Sequence, residues 1–235
     1  MLRHQHEWTE NLFEAQLAES AGLYDDMLAK VLDMAKTETF GVHEHSVLAE
    51  AIQKSLKGTR DAIRNMEQMY AFTEKKSKSS EMKAIEEYKQ QLVTELNERC
   101  DGIIAVLGND LKGSAVSPME KALVFKGLAD THRYKAEFSP SKDDHDHIKN
   151  LYEKAGEYAD AEGESSVSLL VSIRLNCAIF IYEVMNDKDE AIDMMKDLDK
   201  FVTRNGKSDT LAGRLVQHNL RLWKKGEGKV YQCKP

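Results

Sequence analysis

Proline and cysteine are both scarce in this chain of 235 residues, with three of each. So little proline leaves helices uninterrupted. Together with 41% hydrophobic and 31% charged residues, it describes a soluble, helix-rich protein. Cys100, Cys177 and Cys233 are odd in number, far apart and without a CxxC pairing, so neither a disulfide framework nor a thiolate metal site is expected. Cys100 and Cys177 fall on apolar helical stretches, where core packing of reduced thiols is the ordinary reading. No uninterrupted apolar run approaches membrane-spanning length, and the charged opening MLRHQHEWTENLFEAQ lacks a signal-peptide pattern; a cytoplasmic location is expected. Positive charge is not in excess either. A net charge of −7 argues against a general nucleic-acid binder but permits a local basic pocket that selects a small anion. A Gly-rich phosphate loop, a G-x-S-x-G elbow and HExxH are all missing, so the sequence gives no support to an enzyme or a cofactor.

Strand signals are short, and the turn dipeptide Asn-Gly occurs only at Asn205-Gly206. Helical periodicity, by contrast, recurs almost everywhere. Leu12, Ala15, Leu17, Ala21, Tyr24 and Leu28 predict one amphipathic opening segment, broken near TETFGVHEH. A second helix is expected from about His45, carrying Val47, Leu48, Ala51, Ile52, Leu56 and Ile63. A third carries Tyr88, Leu92, Leu96, Cys100, Ile103 and Leu107. Ser117-Pro118 marks a helix start. Helices follow from about Ile148 to Ala161, through the apolar SLLVSIRLNCAIFIYEVM, through KDEAIDMMKDLDKFV and through TLAGRLVQHNLRLWKK. The pattern predicts an all-α fold of about nine antiparallel helices joined by short loops, with no fixed repeat period.

Three His-X-His pairs, His4/His6, His43/His45 and His145/His147, invite a metal reading. Residues two apart on a helix point about 200° apart, so such a pair chelates only from an extended loop. With no third ligand identifiable, these read as solvated loop histidines and no metal is expected.

The stretch FKGLADTHRYKAEF puts Lys126, Asp130, Arg133 and Tyr134 on one helical stripe, where globular helices usually place apolar groups. A solvated face laced by Lys126/Asp130 and Asp130/Arg133 pairs is one explanation. Two other helices favour another. Leu175, Asn176, Ile179 and Glu183 share a stripe, and so do Leu215, Asn219, Leu222 and Trp223. Asparagines on apolar stripes need partners, and an extended peptide backbone would supply them. Lys54 and Arg133, with the Tyr134 hydroxyl, are the donors a phosphate needs, and Asp130 would hold Arg133 in place. Cations on one wall and Leu, Ile and Trp on the other make a groove suited to phospho-motif recognition.

Four segments resemble the 14-3-3 family: LAESAGLYDDM (17–27), KGLADTHRY (126–134), LNCAIFIYE (175–183) and DTLAGRLVQHNLRLW (209–223). The likeness covers almost the whole chain, in order and at nearly the right spacings. It implies a cup-shaped, nine-helix protomer over 1–223 with a concave groove, followed by a short basic tail over 224–235. It implies a non-catalytic adaptor for phosphoserine or phosphothreonine clients. Lys54, Arg133 and Tyr134 would hold the phosphate. Asn176 and Asn219 would bond the peptide backbone, supported by Glu183 and Trp223, with Lys126 and Asp130 nearby. Leu175, Ile179, Leu215 and Leu222 would form the apolar wall. Dimerisation would use the N-terminal helices, through Leu17, Ala21, Leu23, Tyr24, Tyr88 and Glu95.

The departures are specific. Where the family places a second phosphate-binding arginine, this chain has Asp61, with Arg60 before it and Arg64 one turn later. Either Arg60 or Arg64 reaches in, or the groove binds phosphopeptides weakly, or it prefers an unphosphorylated or atypical partner. Reduced but real phosphate binding is the favoured expectation. At the expected dimer surface Leu23 and Gln91 replace an arginine and a lysine, which leaves Glu95 without its matched cation. The segment between Glu183 and Asn219 is shorter than the family pattern, and the tail KKGEGKVYQCKP is basic where family tails are commonly acidic, so it is not expected to compete for the phosphate pocket.

Overall fold

The computed structural model describes residues 10–76, 79–139 and 144–226. Among these residues are nine α-helices and no strand: α1 Glu10–Ser20, α2 Tyr24–Thr37, α3 Val42–Glu74, α4 Ser79–Val106, α5 Pro118–Ala136, α6 His145–Ala161, α7 Val167–Glu183, α8 Lys188–Arg204 and α9 Leu211–Lys224. The chain divides into two compact units, Met1–Ser114 and Ala115–Pro235, within the stretch expected as one domain. The basic tail from residue 227 onward lies outside the described residues, as do His4, His6 and Cys233.

In the first unit α1 packs on α2, α2 on α3 and α3 on α4. The opening segment, expected as one helix, is two. Gly22 adopts φ +74, its N–H donates to the Glu19 carbonyl, and the Leu23 N–H donates to Ala18. That paired arrangement closes α1 with a left-handed residue that glycine adopts without strain. Of the expected stripe Leu12, Ala15 and Leu28 are buried, joined by Met27 and Val31, whereas Leu17, Ala21 and Tyr24 around the break are exposed. Helix α3 begins at Val42, ahead of the expected His45, because the Glu44 carboxylate accepts the Gly41 N–H at 2.9 Å and caps the turn. Its buried stripe is the predicted one, with Val47, Leu48, Ala51, Ile52, Leu56 and Ile63. Helix α4 buries Leu96, Cys100 and Ile103 and runs into a π-helical turn, Leu107–Leu111.

The second unit starts as Ser117-Pro118 predicts. Ser117 Oγ accepts from the Glu120 N–H at 3.2 Å, and the Glu120 carboxylate accepts from the Ser117 N–H at 3.0 Å. Helix α7 contacts α5, α6, α8 and α9, and this central position explains its all-round apolar sequence. The stretch Gly163–Met185 is apolar and long enough to cross a membrane by composition, with hydropathy 1.7, yet 67% of its 18-residue apolar window is buried, as in a core helix. Arg174 and Glu183 interrupt the stretch, so it is the apolar helix read from the sequence and not an uninterrupted apolar run. Cys177 sits on α7, and burial pushes its thiol up to about 12. Helix α9 is capped by Thr210, whose Oγ1 accepts the Gly213 N–H at 3.1 Å. There the backbone closes tightly: a Cβ on Gly213 would lie 2.2 Å from the Lys207 carbonyl oxygen.

The histidines correct the loop expectation. His43 and His45 belong to the first turn of α3, and His145 and His147 to that of α6. His45 is buried edge-on to Phe40 at 5.5 Å, and His145 meets Phe180 edge-on at 5.7 Å. Helical geometry sends each partner to a different face, and no group of three metal-ligating side chains occurs among the described residues.

Candidate functional site

Asp130 of α5 is the centre of a buried polar cluster in the second unit. Its Oδ2 accepts from Lys126 Nζ at 2.7 Å. Its Oδ1 accepts from Tyr152 Oη of α6 at 2.6 Å and from Asn176 Nδ2 of α7 at 2.8 Å. Arg133, one turn along α5, lies 3.6 Å from the same oxygen. The Arg133 guanidinium donates through Nε to Tyr152 Oη at 3.0 Å and through Nη1 to Glu137 at 2.8 Å, with its Cζ 4.6 Å from the Tyr134 ring centre. Arg133 is only 1% exposed, so the stripe is no solvated face. Asp130 and Tyr134 are buried with it.

Burial alone would push the Asp130 carboxyl up. The charges of Lys126 and Arg133, with hydrogen bonds from Lys126 and Tyr152, outweigh burial and hold it at about 2. Burial and the Asp130 charge push the Tyr152 phenol well up, so it stays protonated and keeps donating.

Asn176 illustrates how the cluster orients a side chain. A carboxylate can only accept, so the amide NH₂ must face Asp130 and the carbonyl must face away. That carbonyl oxygen is buried and accepts no hydrogen bond among the described residues. Trp223 of α9 stacks on Tyr182 at 4.2 Å and 7°, and its buried Nε1–H likewise finds no acceptor among the described residues. Asn219 is fully buried, Leu215 and Leu222 are half-buried, and Glu183 is exposed at the end of α7. Leu175 and Ile179, expected on an open apolar wall, are wholly covered and act as core residues of α7, because neighbours surround that helix on several sides.

The first unit carries the other assigned cations. Lys54 Nζ lies 2.7 Å from Glu19 of α1 and 2.8 Å from Glu50, one turn earlier on α3. Hydrogen bonds to these two carboxylates push its pKa well up. Arg60 is buried at 3% exposure, whereas Arg64 is partly exposed and 3.4 Å from Asp61. Asp61 also pairs with Lys57, which the sequence reading did not single out. Two cations therefore flank this acid at i−4 and i+3, a spacing visible in the sequence.

The residues assigned to a dimer surface are all exposed: Leu17, Ala21, Leu23, Tyr24, Tyr88 and Glu95. Glu95 has a cation beside it on its own helix. Arg99, one turn further on α4, lies 3.6 Å from it and also bonds Asp25 and Ser55.

A family model described as "14-3-3 protein" matches residues 14–224. The 14-3-3-like protein GF14-F of Oryza sativa subsp. japonica is 29% identical over 228 residues, covering 91% of this chain and 88% of that protein. The 14-3-3-like protein B of Hordeum vulgare is 30% identical, with 91% and 87% covered. The 14-3-3 protein 2 of Solanum lycopersicum is 29% identical, with 91% and 90% covered. An all-α chain matched from α1 through the last helix, at a divergence near 70%, thus belongs to the 14-3-3 family.

Proposed function

We propose that this chain is a cytoplasmic, non-catalytic adaptor that binds client proteins through phosphoserine or phosphothreonine peptides. Family membership supports the adaptor role, and the α5–α6–α7 cluster supports the ligand. The observation that carries the reading is Asn176. Asp130 pins its amide at 2.8 Å and leaves a buried carbonyl unpaired, ready to accept a peptide N–H. Arg133 and Tyr134 hold the phosphate, which takes over the donor that Glu137 occupies at 2.8 Å. Asp130, itself held by Lys126, positions Arg133. Glu183 lies exposed beside the peptide's course, with Leu215 and Leu222 as its half-exposed apolar contacts, and the buried Asn219 and Trp223 support it from within α9. Leu175 and Ile179 support those contacts from the core. Lys54 takes the same phosphate-binding role in the first unit, with Arg64 the more accessible of the two arginines beside Asp61. Arg60 serves inside the fold.

The protein acts as a homodimer through Leu17, Ala21, Leu23, Tyr24 and Tyr88, with Glu95 paired to Arg99 within its own chain. A second reading, a scaffold for unphosphorylated partners, is favoured by Asp61 standing where the family resemblance places an arginine.

One titration separates the two. Fluorescence anisotropy with a phosphoserine peptide and its unphosphorylated twin should show a clear preference for the phosphorylated form. Arg133→Lys keeps the charge but loses the planar fork, and should weaken phosphopeptide binding roughly 10- to 100-fold. Equal binding of the two peptides would give the site to the scaffold reading.

A further inference from the structure

We propose that Glu50 sets this protein's phosphate affinity by competing for Lys54 from within the same helix. The inference rests on the phosphopeptide reading above and names a residue that limits it.

An ammonium has three N–H donors. In this structure two of those on Lys54 are committed, to Glu19 at 2.7 Å and to Glu50 at 2.8 Å, and the ammonium lies 5.3 Å from the Tyr24 ring centre. The three charged groups together carry one negative charge. A phosphate arriving at Lys54 therefore meets two carboxylates that offset the charge of the cation nearest to it.

The two carboxylates differ in what else they do. Glu19 comes from α1 and ties that helix to α3. Glu50 stands one turn N-terminal to Lys54 on α3 itself, the favourable i, i+4 orientation, and is partly exposed. An exposed pair of that kind contributes little to stability. Its removal frees a donor and a charge without loosening the helix packing.

The rest of the stripe follows the same pattern. Glu50, Lys54, Lys57, Asp61 and Arg64 succeed one another along a single face of α3, and Lys57, Asp61 and Arg64 are joined by their own ion pairs. With Glu19 included, the signs cancel. The face that would attract a phosphate is a self-satisfied ladder, and Glu50 is the rung that touches the assigned phosphate lysine.

The test is a cycle of Glu50→Gln, Lys54→Ala and the double variant, titrated with the phosphopeptide and its unphosphorylated twin, with thermal midpoints recorded in parallel. Glu50→Gln should tighten phosphopeptide binding about fivefold, leave the twin unchanged and keep the midpoint. The gain should vanish in the double variant. Phosphopeptide binding that appears only in Glu50→Gln would support the proposal equally. If the wild type prefers the phosphopeptide and Glu50→Gln binds it no better, the proposal is overturned and the functional reading stands. A gain that persists without Lys54 also overturns it, since that would be a general charge effect. If no protein prefers the phosphorylated twin, the functional reading falls and takes this proposal with it.

Discussion

Asp130→Ala is expected to destabilise the protein by about 3–5 kcal/mol, measured as a lower urea midpoint at unchanged m-value. The size follows from what the substitution strands. Lys126 and Arg133 would lose their shared carboxylate, and Arg133 is only 1% exposed. Tyr152 would lose an acceptor at 2.6 Å and Asn176 one at 2.8 Å. Removing one partner of a buried ionic cluster costs more than the cluster contributes, because the remaining groups stay desolvated. Lys126→Ala in the same background should recover part of the loss, since one stranded cation goes with it. A cost below about 1 kcal/mol would show that water replaces the carboxylate and that the cluster is not the support described above.

The same carboxyl gives a pH signature. Its folded-state pKa of about 2 lies below the ordinary 3.8, so through this interval the unfolded chain holds more protons than the folded one. Its contribution is fully present above pH 3.8 and is lost as the pH falls through about 2, amounting to about 2 kcal/mol. The stability gap between wild type and Asp130→Ala should narrow over that window and stay constant above it. A gap that stays equally wide at pH 2 would contradict the assignment.

Gly213→Ala is the second large effect expected, a loss of about 3 kcal/mol. The added Cβ would stand 2.2 Å from the Lys207 carbonyl oxygen and 2.9 Å from that of Ser208, and both obstacles are backbone. No rotamer relieves such a contact, so the turn before α9 must move and take its Thr210 cap with it. Gly102→Ala provides the matched control. That glycine lies inside α4 with nothing within 4 Å of the added carbon, and alanine there should stabilise by about 1 kcal/mol. Denaturant midpoints shifting in opposite directions would separate the steric cause from a general glycine effect.

Local rules made much of the fold readable. The 3.6-residue period located the helices, and Ser117-Pro118 located a helix start that the structure closes with a capping box to Glu120. The Lys126–Asp130 pair was readable for the same reason, since four residues on one helix fix the geometry. What escaped depended on partners distant in sequence. Tyr152 reaches Asp130 only because α6 packs on α5, and Glu19 reaches Lys54 only because of where α1 ends. Neither contact leaves a trace in residue spacing. Lys57 and Glu50 did leave one, at i, i+4 from Asp61 and Lys54, but attention to the residues expected at the phosphate passed over the opposite charge one turn before each of them. The break at Gly22 was hidden because Leu17, Ala21 and Tyr24 continue the apolar spacing across it in sequence, although all three are exposed.

The position of Cys177 has a consequence of another kind. Thiolate is the form that attacks disulfides and electrophiles. With its thiol pushed up to about 12 and its side chain enclosed on α7, this cysteine holds almost no thiolate at neutral pH. In the folded protein it is therefore a poor nucleophile, and its place on α7 is that of a packing residue.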